Sequence, residues 1–236
     1  MDDHDHDHDH DHDHDHELDH DGYGAARRSP LARWAERFAD VSVHSGGRLT
    51  LREAPLLSQL NVRAAARPNR PELPAVNAVA VWGGGHGGWD GVYVLGLGPD
   101  EWLIVSAPDA AGRLEADLLA SDRHESTARW LGAVVDVSAQ RTTLVASGPA
   151  VRELLAHGCA LDLDPAVFEV GRCVQTMVAH AQVILWHPAP DEFRILVRAS
   201  FAPTWPPGCW TRRPSSAHLI WSSDQVAVQA FVGAAG

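Results

Sequence analysis

The sequence has no lysine, few cysteines and no long apolar run. All 19 residues in the Lys and Arg count are arginine, and only three cysteines occur in 236 residues. A membrane-spanning helix needs about 18–20 consecutive apolar residues, so none is expected. The acidic N-terminus has no apolar core behind it, which argues against a secretory signal. Because Cys159, Cys173 and Cys209 show no CxxC spacing, we expect a protein of the reducing cytoplasm without a disulfide framework.

Motifs of common catalytic and nucleotide-binding sites are also absent. Asp136-Val137-Ser138 lacks the Gly-x-Ser-x-Gly elbow of many hydrolases. No Gly-x-Gly-x-x-Gly motif follows a predicted strand and opens a helix. The glycine-rich segment 83–88 has no lysine to complete a phosphate-binding loop, so we interpret it as a hairpin turn. These absences exclude the commonest hydrolase, dinucleotide and phosphate-loop sites.

The histidines and cysteines outside the N-terminal tail show no catalytic or metal-binding spacing. These histidines are His44, His86, His124, His157, His180, His187 and His218. We interpret His157 as a residue at a helix C-terminus, where a cation favours the helix dipole. We interpret Cys159 and Cys173 as small core residues. We therefore expect no self-contained active site in this chain.

Nearly all of the net charge lies in an N-terminal tail. Residues 1–21 contain ten Asp, Glu17 and no Arg, which gives −11 of the total −12. The remaining chain is close to neutral, so the composition does not favour nucleic-acid binding. The tail alternates Asp and His, and it cannot bury apolar surface, so it is expected to be disordered.

The histidines of this tail are candidate metal ligands, because neutral imidazole and carboxylate both bind Zn²⁺ and Ni²⁺. The predicted ligands are His4, His6, His8, His10, His12, His14 and His16. The alternative is a charged, solvated extension that binds metal only adventitiously. A repeat without fixed geometry or supporting second-shell groups does not distinguish the two.

The segment 134–170 predicts a strand, a short helix and a return loop. The mainly apolar stretches 134–137 and 142–145 are interpreted as one strand that the polar residues 138–141 interrupt. Gly148-Pro149 then opens a helix with Val151, Leu154 and Leu155 on one face, and Gly158 closes it with a left-handed cap. Asp162 and Asp164 are interpreted as a turn and a helix cap rather than as a pair of catalytic acids.

Other apolar runs predict strands around this segment. They lie near residues 60–64, 78–82, 92–97, 102–105, 176–180, 182–186 and 193–197. Gly98-Pro99-Asp100 predicts a hairpin turn because proline fixes the first turn dihedral. Helices are expected near Trp34–Phe38 and after Asp109. From residue 134 onward, the order strand, helix, strand, strand, strand predicts an α+β fold of the ferredoxin-like kind, with helices on one face of a mostly antiparallel sheet.

The helix expected after Ser200 is missing. Pro203, Pro206 and Pro207 interrupt the region where it should lie. The exclusive use of arginine indicates GC-rich coding DNA. Shifted by two bases, the codons of residues 203–213 encode a leucine-containing amphipathic helix instead. We hypothesise a frameshift near Ala202, and the alternative is an ordinary irregular tail.

Several segments together resemble the gamma subunit family of heterotetrameric sarcosine oxidase. They are Leu97-Gly98-Pro99-Asp100-Glu101-Trp102-Leu103, Val135-Asp136-Val137-Ser138 with Arg141, Ser147-Gly148-Pro149, the helix with Leu154-Leu155, Gly158-Cys159-Ala160-Leu161-Asp162-Leu163, Gly171-Arg172-Cys173-Val174-Gln175-Thr176 and Arg198-Ala199-Ser200-Phe201-Ala202. The resemblance covers about residues 56–202. The family continues into a helix at the point where this chain does not, which supports the frameshift hypothesis.

The resemblance implies a non-catalytic subunit with alpha, beta and delta partners. In that family's complex, sarcosine is oxidatively demethylated to glycine and hydrogen peroxide, and the one-carbon unit passes to tetrahydrofolate. The resemblance places FAD, FMN, NAD and tetrahydrofolate in the partner subunits and no cofactor in this chain. It also implies two small α+β parts of the aminomethyltransferase-like type, and it implies that Ser138, Arg141 and Asp162 serve the scaffold or an interface.

These inferences predict a division of the chain into five parts. They are a disordered Asp/His tail (1–22), a linker with a short helix (23–50), a first α+β part (51–131), a second, ferredoxin-like α+β part (132–202) and an irregular tail (203–236). Two other functions stay open from the sequence. One is a stand-alone folate-binding or aminomethyltransferase-like protein, and the other is a metal-binding protein that acts through its Asp-His tail.

The frameshift hypothesis predicts that a frame-restored chain is more stable. Each leucine of the restored helix stabilises the fold by about 1.5–3 kcal/mol if fully buried, so three or four of them should raise the melting temperature clearly. Thermal unfolding of the two chains measures this. Equal melting temperatures and equal yields of assembled complex would refute the hypothesis. Resequencing of the coding DNA that finds an intact frame would refute it as well, if mass spectrometry also detects peptides that span Trp205 to Trp221.

Overall fold

The computed structural model describes residues 28–64, 73–82, 89, 91–124 and 131–205. Within these ranges the chain forms strands and a few short helices. The strands are β1 (Thr50–Ala54), β2 (Ser58–Ala64), β3 (Val79–Trp82), β4 (Val92–Gly98), β5 (Glu101–Ser106), β6 (Leu131–Asp136), β7 (Arg141–Ser147), β8 (Arg172–Val178), β9 (Ala181–Ala189) and β10 (Glu192–Arg198). The helices are α1 (Ala35–His44), preceded by a 3-10 turn (Ala32–Trp34), α2 (Ala111–His124) and α3 (Val151–Ala156).

The strands form two five-stranded sheets. Sheet I has the order β3-β4-β5-β2-β6, and sheet II has the order β1-β7-β10-β9-β8. All of these neighbouring strands pair antiparallel. The predicted α+β class with antiparallel sheets is therefore confirmed, and the hairpin predicted at Gly98-Pro99-Asp100 joins β4 to β5.

The two sheets pack face to face, and helices cover their outer faces. The core between the sheets contains residues of both, among them Tyr93, Leu95, Leu103, Val105, Val145, Cys173, Ile184, Trp186 and Leu196. The outer face of sheet II packs against Phe38 of α1 and Val151, Leu154 and Leu155 of α3. The outer face of sheet I packs against Ala111 and Leu118 of α2. Each sheet is thus covered on both faces, which explains its nearly continuous apolar strands.

The segment predicted as one interrupted strand is two strands in different sheets, so that prediction was wrong. Its first half is β6 in sheet I and its second half is β7 in sheet II, with a turn at residues 138–140 between them. Buried Gln59 of β2 fixes this crossing. Its backbone N–H donates to Ser138 Oγ at 2.9 Å, and its side-chain amide donates to the Arg141 carbonyl at 2.9 Å. The polar residues are therefore the turn at which the chain changes sheet.

Strand β1 was missed by the sequence analysis, and it also belongs to sheet II. Its charged residues Arg52 and Glu53 conceal the strand pattern. Glu53 accepts hydrogen bonds from the hydroxyls of Ser29 and Thr142. Because β1 joins sheet II and β6 joins sheet I, the sheets interleave across the predicted boundary at residue 131. The division into two α+β parts stays a prediction.

Helix α3 is oriented by the glycine before it. Gly148 has φ 110°, and a Cβ there would lie 2.4 Å from the Arg48 carbonyl oxygen, so only glycine fits. Gly158 does not adopt positive φ, and the predicted left-handed cap at this residue was wrong. The helix ends instead with Gly158 N–H donating to the Leu155 carbonyl at 2.9 Å. Its predicted apolar face is confirmed, since Val151, Leu154 and Leu155 are all buried.

The described chain ends with Trp205 in the core of sheet II. Its indole N–H donates to the Val178 carbonyl at 2.9 Å, and the side chain is 4% exposed. Residues 206–236, where the frameshift hypothesis mainly applies, lie outside the described residues. The glycine-rich segment 83–88 lies outside them too, but the strands that flank it, β3 and β4, pair antiparallel as a hairpin requires. No helix among the described residues is long and apolar enough to cross a membrane.

Candidate functional site

The titratable side chains of the described residues do not gather into a reactive cluster. No group of three or more His, Cys, Asp or Glu side chains within these ranges could hold a metal ion. His44 and His157 instead turn back on their own helices, with Nδ1 2.7 Å from the Asp40 carbonyl and 2.6 Å from the Glu153 carbonyl. His157 follows directly after α3, where the sequence placed it.

The acids of the 134–170 segment form turns. Asp162 accepts the backbone N–H of Asp164 at 2.9 Å, and Asp164 accepts that of Ala166 at 2.8 Å. Asp136 likewise accepts the backbone N–H and the hydroxyl of Ser138. Each of these carboxylates serves a local turn, whereas the scaffold or interface role of Ser138, Arg141 and Asp162 stays a prediction.

The two described cysteines are core residues, as predicted. Cys159 and Cys173 are free and buried. Burial raises the pKa of the Cys173 thiol to about 12, against smaller opposing effects of the Gly96 backbone and Arg172. Because the thiolate is the nucleophilic form, Cys173 is inert at neutral pH.

A buried arginine lies at the centre of the contact between the two sheets. Arg194 of β10 is 0% exposed. Its guanidinium carbon lies 4.0 Å from the ring centre of Trp89, 4.5 Å from that of Trp186 and 5.4 Å from that of Tyr93. Its Nε donates to Glu192 Oε1 at 2.8 Å. The rings and the carboxylate together offset part of the hydration that the cation loses on burial.

The strand register explains how this cage forms. Arg194 pairs directly with Trp186 of β9, and Tyr93 of β4 faces them from sheet I. The pairing of β10 with β9 is irregular between Glu192 and Arg194. Sequence reasoning missed the cage because its Trp89 and Tyr93 are distant from β10 in the chain. The available signal was a single arginine inside the apolar run Phe193–Val197, two residues after an acid.

A second buried polar cluster connects the 159–168 loop to sheet II. His187 is stacked against Phe193 and Phe168, with ring centres 4.6 and 5.9 Å away. Its Nε2 lies 3.0 Å from the guanidinium of Arg152, which also donates to the Leu163 carbonyl. A guanidinium can only donate, so Nε2 accepts in this contact, and the Pro190 carbonyl lies 3.3 Å from the same nitrogen. This arrangement fixes a loop and offers no reactive group to a substrate.

An open cleft of about 450 Å³ lies on sheet II. Arg141 of β7 and Arg198 of β10 line one side of it. The rest of its lining comes from the 160 loop and strands β8 and β9, as Ala160, Gln175, Thr176, Met177, Gln182, Val183 and Ile184. Arg141 therefore has two roles: its carbonyl fixes the crossing between the sheets, and its side chain borders this cleft.

The candidate metal ligands of the N-terminal tail cannot be placed. His4, His6, His8, His10, His12, His14 and His16 lie outside the described residues. Metal binding by these side chains stays a prediction.

Comparison with known proteins gives a consistent result. The sarcosine oxidase, gamma subunit family matches residues 85–212. The chain is 35% identical over 179 residues to the sarcosine oxidase subunit gamma of Corynebacterium sp. (strain U-96), a match that covers 74% of this chain and 84% of that one. It is 38% identical over 189 residues to the same subunit of Corynebacterium sp. (strain P-1), a match that covers 75% and 85% of the two chains.

One solved structure shows the same relationship. The fold matches a chain of the heterotetrameric sarcosine oxidase from Corynebacterium sp. U-96 with a TM-score of 0.59 and 34% identity, over 74% of this chain and 88% of that one. A further similarity, with a TM-score of 0.48 and 14% identity over 70% and 46% of the chains, is to the glycine cleavage system aminomethyltransferase T from Bartonella henselae.

The fold and its buried polar clusters define an α+β protein whose polar groups mainly hold two sheets together. The identity to gamma subunits and the extent of coverage then give the family. The chain belongs to the sarcosine oxidase gamma subunit family, and the resemblance seen in the sequence is confirmed.

We predict that Arg194→Lys destabilises the fold by about 2 kcal/mol, because an ammonium cannot stack its charge on three rings while bonding Glu192. Urea unfolding of the full chain measures the change. Arg113→Lys is the matched control, since Arg113 is exposed on α2 and its substitution should be neutral. An Arg194→Lys variant as stable as the parent would show that the planar stacking contributes nothing.

Proposed function

We propose that this chain is the gamma subunit of a heterotetrameric sarcosine oxidase and has no active site of its own. The observation that carries the proposal is the identity of 35–38% to proteins named sarcosine oxidase subunit gamma, over 84–85% of their length. In this proposal, alpha, beta and delta subunits are the partners. They carry FAD, FMN, NAD and tetrahydrofolate, and together they convert sarcosine to glycine, hydrogen peroxide and 5,10-methylenetetrahydrofolate.

The arrangement of the polar groups supports a scaffold role. Each buried polar cluster described above is formed by contacts within the chain. Arg194 contacts Glu192 and three rings, His187 contacts Arg152, and Ser138 contacts Gln59. A catalytic site requires a nucleophile, an acid or base, and a place for the reacting atom within about 3 Å. The described residues do not bring such groups together.

The exposed edges of the sheets support assembly with other chains. Strand β6 ends sheet I, and its Val135 is 52% exposed; strand β8 ends sheet II, and its Met177 is 53% exposed. An edge strand offers unpaired backbone groups to another chain, and apolar side chains on it favour contact with a partner. The proposal places the assembly in the cytoplasm, because both described cysteines are free thiols.

Co-expression with the partner subunits tests the proposed function. With this chain present, we expect a stable complex that produces hydrogen peroxide from sarcosine; without it, a lower yield of assembled complex. The chain alone should produce none and should not bind tetrahydrofolate in calorimetry. A partner complex that assembles and turns over equally well without this chain would contradict the proposal. Tetrahydrofolate binding by the isolated chain would instead favour a stand-alone folate-binding protein.

We also propose that the Asp-His tail binds divalent metal ions without a fixed site. Seven of its histidines alternate with aspartates, so imidazole and carboxylate ligands are available to any nearby metal. Calorimetric titration with Zn²⁺ and Ni²⁺ should show several weak equivalents for the full chain. Deleting residues 1–21 should abolish them without lowering the melting temperature. If the deleted chain binds as many equivalents, the ligands lie elsewhere.

A further inference from the structure

The cleft on sheet II places two arginines next to each other. Arg141 and Arg198 are direct partners in the antiparallel pairing of β7 with β10. Directly opposed residues of such a pair lie about 4.5–5.5 Å apart at Cα and share one face of the sheet. Both guanidinium groups can therefore reach one small group in the cleft.

This pairing costs free energy in the chain as it stands. Like charges directly opposite each other on neighbouring strands are destabilising. Burial and the charge of Arg198 lower the pKa of Arg141, against the opposing effect of Glu101. An anion between the Arg141 and Arg198 guanidinium groups would offset this electrostatic cost.

The described residues do not supply that anion. No acidic residue lines the cleft, and Arg198 forms no ion pair with any described residue. Arg141 donates to the neutral amide of Gln140. Glu101 lies near Arg141, but it is bound to Arg63 at 2.9 Å and to the Asn61 amide at 2.9 Å. Arg194 lies four residues earlier on the same face of β10, and its charge is compensated by Glu192.

The remaining lining groups fit a bound anion. Gln175 of β8 and Gln182 of β9 carry amide donors, although Gln175 also donates weakly to the Leu97 carbonyl at 3.4 Å. Ile184 and Met177 add apolar surface beside them. Guanidinium groups bind carboxylate and phosphate oxygens in pairs of parallel hydrogen bonds.

We propose that this cleft is an oxyanion-binding site that holds a carboxylate or phosphate group between Arg141 and Arg198. The oxyanion neutralises the opposed charges, and the amide and apolar lining accommodates the group that carries it. A diffusible ligand and an acidic side chain of a partner subunit present the same chemistry to the cleft. The second source rests on the proposed function.

Calorimetric titration of the full chain with inorganic phosphate and with succinate, at constant ionic strength, tests the site. We expect saturable binding of one equivalent. Arg198→Gln and Arg141→Gln should each weaken it by about tenfold or more, the loss of one charge-assisted contact. Arg113→Gln, which removes an exposed arginine on α2, should bind like the parent. Binding that is absent in the parent, or equal in parent and Arg198→Gln, would overturn the proposal.

Unfolding of the same variants separates a binding role from a structural one. Without an added anion, Arg198→Gln removes a repulsion and should not lower the melting temperature; with phosphate, the parent should gain stability that the variant does not. If Arg198→Gln melts lower than the parent without an anion and phosphate stabilises both equally, Arg198 is a packing residue and the proposal fails.

The assembled complex distinguishes the two sources of the oxyanion. Phosphate that binds the free chain but not the complex assigns the site to a carboxylate of a partner; phosphate that binds both assigns it to a diffusible ligand. Either outcome supports an oxyanion site. A chain that does not assemble counts against the proposed function alone, because the titration of the free chain requires no partner.

Discussion

The contact between the two sheets depends on the burial of one positive charge. Arg194 is fully buried where β10 faces sheet I, and it is held by Glu192 and by the rings of Trp89, Tyr93 and Trp186. A buried cation is costly unless its hydration is replaced, so the groups that replace it must keep their positions. Tyr93 lies on β4 of sheet I, whereas Trp186 and Glu192 lie on strands of sheet II. The cage therefore fixes the two sheets relative to each other.

The same strand face shows what the protein does with a second arginine. Arg198 follows Arg194 by four residues and reaches the cleft, where it opposes Arg141 instead of an acid. One arginine is used to build the fold, and the other is left with an uncompensated charge at the surface. For a chain whose described polar groups otherwise serve its own turns and crossings, this surface charge is the clearest sign of an external ligand. It is consistent with a subunit that contributes surfaces rather than chemistry to a complex.

Local features of the fold were predictable from the sequence, and contacts between distant segments were not. The hairpin at Pro99-Asp100 and the apolar face of α3 follow from turn chemistry and helical spacing. The change of sheet between β6 and β7 was hidden, because apolar residues continue on both sides of the polar turn and periodicity does not reveal which sheet a strand joins. The Arg194 cage was hidden for a related reason, since Tyr93 lies in the other sheet and Trp89 lies just before its strand β4. The cleft required the register that places Arg141 opposite Arg198.

The gamma-subunit role is the central claim, and the mass of the native complex tests it most directly. Native mass spectrometry of the oxidase, purified through a tag on this chain, should show one copy of the chain with three different partner chains and bound flavin, and that species should oxidise sarcosine. The tagged chain recovered only as a monomer, beside an active oxidase that lacks it, would contradict the account.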